Sequence, residues 1–190
     1  MRYLIFVLLF LCSSCIQIGG TPQPMNYYLL KKTNKIPEIH PNFHEDIHLE
    51  LINFPEYLDQ PQIVTNNDDN GILFYDTERW AEPLRENLAR VIRENLAMMA
   101  PNSSISVGPW ESATANAIKV ELLFNQFSGK LGEYTRTDIR WRISQGTGQT
   151  SQGHFTDQQT IEDNFQDFVI GLNTGINNFS TKLGLILLKP

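Results

Sequence analysis

Cysteine is scarce in this chain: among 190 residues only Cys12 and Cys15 occur, three positions apart and near the start. Nothing after Cys15 has a thiol to pair, so a disulfide-stapled domain is excluded. Basic residues are also few, 15 Lys and Arg against 21 Asp and Glu, for a formal net charge of −6. That balance excludes a nucleic-acid binder driven by clustered cations, and it disfavours electrostatic docking to anionic headgroups. Long hydrophobic runs are missing too. The apolar stretch YLIFVLLFL at residues 3–11 is nine residues long, whereas a membrane span needs about 20.

What the N-terminus does contain is ordered: Arg2, the apolar run, the small residues Ser13 and Ser14, then Cys15. This is the layout of a secretory signal. A Cys directly after the small residues resembles the bacterial lipobox, with Cys12 standing where Leu is usual. The resemblance implies cleavage between Ser14 and Cys15, loss of Cys12, and a mature N-terminal Cys15 bearing acyl chains, palmitate among them. Ile16, rather than Asp, after that Cys implies the outer membrane. The alternatives are an uncleaved N-terminal anchor or an ordinary signal with an incidental Cys. A redox CxxC should open a helix beside a strand on the folded domain, which this position does not offer. The expected division is 1–14 signal, 15–25 lipidated Cys and a Gly/Pro-rich tether, and 26–190 one domain.

Along the domain, NYYLL (26–30), DIHLELINF (46–54) and GILFYD (71–76) read as strands. The NNDDNG stretch between the latter two reads as a turn, since Asn, Asp and Gly tolerate positive φ; it lacks the dispersed ligands and closing Glu of an EF-hand. In RWAEPLRENLARVIRENLAMM (79–99), Trp80, Leu84, Leu88, Val91 or Ile92, Leu96 and Met99 form a helical stripe. Arg90 is spaced to pair with Glu86 and Glu94. Pro83 belongs to a first turn, which predicts a start near Glu78, and Pro101 with Asn102 ends the helix. Residues 117–127 alternate Ile118, Val120, Leu122 and Phe124, then slip register before Phe127. Residues 137–144 alternate Ile139, Trp141 and Ile143 against Arg140 and Arg142. The two predict a hairpin around GKLGEY, extended by QTSQGHF. A last helix is expected from 163 to 188, capped by Asp157 or Asp163, with Gly171, Gly175 and Gly184 permitting close approach to the sheet.

His44, Glu45 and His48 fit H-E-x-x-H, and His40 adds a histidine at the same spacing. Zinc chemistry needs those histidines one helical turn apart. The prolines Pro37 and Pro41 and the period-two pattern from Ile47 predict a strand instead, which separates His44 from His48 by about 13 Å. A zinc hydrolase is thus a remote alternative. There is no G-x-S-x-G and no phosphate loop. His154 reads as a strand-surface residue standing alone; Asp68 with Asp69, and Glu162 with Asp163, read as loop solvation and capping.

Cys15 in its lipobox, YYLL at 27–30, FPEYLDQPQIV at 54–64, RWAEPLRENLARVIRENL at 79–96, VELLFNQF and the Trp-bearing strand together resemble the ABC-type transport auxiliary lipoproteins, the PqiC-like group. In the last helix Gly and Asn stand where such proteins usually carry Ala and Leu. The resemblance implies an α/β periplasmic domain, a mixed sheet packed by two main helices, and a non-catalytic outer-membrane subunit. It would work beside an MCE-domain membrane protein in intermembrane lipid transport and support envelope integrity, with no cofactor. Homo-oligomers fit an adaptor that meets an oligomeric partner. The matching positions are Tyr57, Leu58, Pro61, Gln62, Arg79, Trp80, Glu82, Pro83 and Leu84, which shape the fold or touch a partner; Arg79 and Glu82 are expected at a helix start. A stand-alone lipid carrier is the alternative, and it would need a sizeable apolar cavity.

Overall fold

A computed structural model describes residues 23–35, 39–146 and 149–188. The signal, Cys12, Cys15, Ile16 and most of the tether, like Pro37, lie outside the described residues. The strands are β1 (Asn26–Tyr28), β2 (Ile47–Asn53), β3 (Gln62–Asn66), β4 (Ile72–Trp80), β5 (Ile105–Val107), β6 (Ile118–Lys130), β7 (Tyr134–Gln145) and β8 (Gln149–Thr160). Helix α1 spans Leu84–Met99 and helix α2 spans Phe165–Leu187. The architecture is mixed α/β, and its strands divide into two sheets where the sequence suggested one.

The larger sheet has the order β5-β2-β6-β7-β8, parallel from β5 to β6 and an antiparallel meander from β6 to β8. Alternation along β6 buries Ile118, Val120, Leu122 and Phe124 on the helix-bearing face. The expected slip is a bulge between Phe124 and Gln126, which lets Phe127 join the same core and meet Phe124 edge-on at 6.2 Å between ring centres, while Phe54 meets Phe124 at 5.7 Å. The smaller sheet, β1-β4-β3, has β1 parallel and β3 antiparallel to β4. It adjoins the larger one where the Ser128 hydroxyl donates to Asn66 Oδ1 and Lys130 pairs with Asp68.

Several boundaries differ from expectation. Trp80 closes β4 instead of opening a helix, and α1 starts only at Leu84, with Pro83 as its N-cap residue. Proline pushes the residue before it out of the helical region, and the pairing of Tyr28 with Trp80 holds the chain extended up to that point. Arg79 is therefore a strand residue, and Glu82 lies in the connection before the helix. The α2 cap is neither Asp157, which lies in β8, nor Asp163. It is Asn164, whose side chain accepts a bond from the Asp167 N–H at 2.8 Å.

A segment after β1 runs beside both helices without joining a sheet. Its backbone bonds are met by asparagines: Leu30 N–H donates to Asn87 Oδ1 at 2.8 Å and Leu30 C=O accepts from Asn87 Nδ2 at 3.1 Å. Lys31 is bonded to Asn173 and Asn177, and Thr33 N–H to Asn95. Asn95 also donates to Asn177, so the strap and both helices share one network.

Candidate functional site

The pairing of β5 with β2 ends at Val107 and Leu49, so from Glu50 onward β2 has no neighbouring strand on that side among the described residues. Such an edge presents backbone N–H and C=O groups to whatever lies next to it. Beside it runs a groove of about 530 Å³, walled by Glu50, Leu51 and Ile52 on β2 and by α1 from the Glu82 connection to Arg93. The loop after β5 closes its third side with Pro109, Trp110 and Glu111. Ile52 is 49% exposed and Trp110 91% exposed. Leaving a tryptophan in water forgoes a large apolar burial, which makes Trp110 the most conspicuous side chain of the groove.

Charges along the groove are mostly paired. Arg90 bonds Glu82 at 2.8 Å and Glu94 at 3.2 Å, and Arg93 meets Glu111 at 3.3 Å. Of the two expected partners of Arg90, Glu94 is used and Glu86 is not. Partial burial works against the Arg90 charge, but the two carboxylates outweigh it and raise its pKa above the ordinary value. Glu111 also accepts from the Val107 N–H at 2.7 Å, fixing the loop that carries Trp110. Arg85 is the groove cation without such a pair among the described residues. Its guanidinium lies 5.5 Å from the centre of the Phe54 ring, its buried Nε has no hydrogen-bond partner, and no carboxylate pairs with it among the described residues. A cation held over an aromatic face with donors to spare suits a carboxylate supplied from outside.

The nine motif positions come together, mostly as framework. Pro61 C=O accepts from Trp80 N–H at 2.8 Å, and Gln62 faces Arg79 across β3 and β4. Leu58, Trp80 and Leu84 are buried core. Tyr57 sits half-buried on a 3-10 turn, where burial raises its pKa against a lowering contact from Ser128. Arg79 donates to Asp76 C=O, and Pro83 caps α1. Only Glu82 lines the groove.

The histidine motif does not assemble. His44 and Glu45 are exposed in the loop before β2, whereas His48 is buried within β2, its Nδ1 2.7 Å from Ser106 Oγ and its Nε2 3.3 Å from Glu50. His154 is not alone: its Nε2 lies 2.8 Å from Asp138 on the outer face of the large sheet. Burial would raise the Asp138 pKa, but bonds from Asn125 and His154 and the charges of His154 and Arg136 hold it below the carboxylate norm. Asp68 and Asp69 belong to a tight turn in which Asn67 Oδ1 accepts from the N–H groups of Asp69 and Gly71. Sequence reasoning missed Arg85, Arg93, Glu111 and Trp110. The usable signal was VGPW, an aromatic placed between turn residues with no periodic apolar neighbours.

A family model described as ABC-type transport auxiliary lipoprotein component matches residues 28–184. A comparison with curated protein sequences finds no match. Among solved structures, protein XCC0632 from Xanthomonas campestris is similar over 86% of this chain and 94% of its own, at 10% identity and a TM-score of 0.72. A crystal structure of an uncharacterized protein is similar over 87% of this chain and 99% of its own, at 17% identity and a TM-score of 0.71. At such identities the likeness shows the fold.

Proposed function

The chain belongs to the ABC-type transport auxiliary lipoprotein component family, and from that premise we propose that it is a non-catalytic adaptor of an MCE-type lipid transport system. In this reading residues 1–14 are removed, acylated Cys15 fixes the chain to the outer membrane, and the domain faces the periplasm. More than one acyl chain on Cys15 would give stable anchoring, at about 0.8 kcal/mol per buried CH₂. The family's place in ABC-type transport supports a transporter partner.

The observation that carries the adaptor role is the groove at the free edge of β2. An extended segment of the MCE protein adds its main chain to β2 beyond Glu50, stacks on Trp110 and offers a carboxylate to Arg85. The alternative, a self-sufficient lipid carrier, fits this groove less well. Its walls are largely apolar between seven charged residues, but the groove is open to solvent along its length, whereas a carrier site encloses most of its ligand's surface.

The test is affinity purification of the full-length protein from detergent-solubilised outer membranes, with intact mass measured on the same sample. An acylated Cys15 and an MCE protein in near-fixed ratio are expected, with the partner lost from Arg85→Glu and Trp110→Ala variants. An unacylated chain, or a partner retained undiminished by both variants, refutes the respective half of the proposal.

A further inference from the structure

The β3–β4 hairpin carries Ile72, Leu73 and Phe74 in succession at 40%, 43% and 51% exposure. Three consecutive apolar residues left in water at the turn end of the hairpin mark a contact surface. Their position follows from the direction of β1. Because β1 pairs parallel with β4, with Asn26 opposite Glu78, the chain preceding Asn26 departs toward the Ile72 end of β4. The hairpin therefore extends past the start of β1 on the side to which the N-terminal end of β1 points.

The lengths agree. From Glu78 back to Ile72 is six residues, roughly 20 Å of strand, while Cys15 to Asn26 is eleven residues and spans at most about 40 Å. Ala81 N–H donates to Tyr28 C=O, so even-numbered residues of β1 turn their backbone groups toward β4, and Pro24, two residues before Asn26, lacks the N–H that would continue that ladder.

We propose that Ile72, Leu73 and Phe74 dock on the lipid surface that holds the acyl chains of Cys15, an inference that rests on the anchoring reading above. The lipid it suits is zwitterionic. Asp68, Asp69 and Asp76 flank the apolar residues, and Lys130, paired with Asp68 and Glu133, is the cation beside the turn. Those carboxylates are repelled by anionic headgroups, so attachment relies on apolar insertion. The contact also sets the groove's height. The tip lies beside Lys130 of β6 and the groove beside Leu122, the residue paired with Leu51, which places the groove roughly 25 Å further along the strand.

The test uses full-length protein purified with its acyl chains, confirmed by intact mass, and reconstituted into phosphatidylethanolamine vesicles doped with spin-labelled lipid. An environment-sensitive fluorophore is attached at Leu73→Cys, or at Gln152→Cys on the solvated face of β8 as control. The result expected is quenching at position 73 several-fold above that at 152, reduced when half of the lipid is phosphatidylglycerol and abolished by Ile72→Asp with Phe74→Asp. Equal quenching at the two positions on an acylated chain overturns the docking and leaves the anchor standing. A mass without acyl groups overturns the anchor, and the docking with it.

Discussion

Gly175 and Gly184 lie on one helix, yet replacing them with alanine should have different consequences. A Cβ at Gly175 would stand 2.2 Å from Thr137 Oγ1 and 3.0 Å from Thr137 Cβ. Turning the hydroxyl away relieves the first clash and not the second, because Thr137 Cβ is fixed to β7. Helix propensity returns up to about 1 kcal/mol on Gly→Ala, while overpacking of this kind costs about 1–3 kcal/mol. With backbone-fixed atoms in the way the upper part of that range applies, leaving a net loss of about 2 kcal/mol. At Gly184 the new Cβ would meet Met99 Sδ and Cε at 2.5 Å, the far end of a flexible side chain that can change rotamer. Gly184→Ala should be within about 0.5 kcal/mol of neutral. Urea unfolding of the mature domain, compared at equal m-values, measures both. A Gly175→Ala variant as stable as the parent, or no smaller a loss from it in a Thr137→Gly background that removes the Cβ, would refute the view that α2 is seated on β7 through this glycine.

Three further outcomes follow from single contacts. Asn87→Ala strips the buried Leu30 N–H of its partner and should cost about 2–3 kcal/mol in the same urea assay, with faster proteolysis of the strap at residues 29–35. Asp138 is held below the usual carboxylate pKa, so its contribution is present above that usual value and lost as pH falls through the lower, folded one. Asp138→Asn should accordingly flatten the fall in stability below about pH 4, as read by melting temperature across an acid series. Trp110→Ala, at a side chain almost wholly in water, should leave stability within about 0.5 kcal/mol while removing the MCE partner from the purification described above; loss of fold would instead make Trp110 structural.

Elements were legible in the sequence where one face is buried and the other wet. β6 and β7 show this best, since Val120, Leu122 and Phe124 alternate with Lys119, Glu121 and Asn125, and even the bulge before Phe127 leaves a trace in the pattern. The start of α1 was not legible, because Trp80 falls in phase with the helical stripe although it ends a strand. Sequence period cannot distinguish those two roles for one residue, and only the pairing of β4 with the distant β1 decides it. The groove was hidden for the same reason. An unpaired edge is a property of which strands are neighbours, and β2 meets β5 across more than fifty residues of chain.

The glycines and asparagines of α2, poor helix formers by intrinsic preference, acquire a reason once the strap is considered. Gly171 and Gly175 let α2 approach Thr135 and Thr137 of β7, while Gly184 makes room for Met99 on α1, so the close approach expected at the sheet is in part an approach between helices. That proximity brings Asn173 and Asn177 within reach of Lys31. A segment lying across helices cannot obtain backbone partners from a sheet, and buried N–H and C=O groups left without them are costly. Side-chain amides supply both a donor and an acceptor from one position, as Asn87 does for Leu30. This segment connects β1 to the rest of the domain, so the asparagines join β1, and through its pairing β4, to both helices.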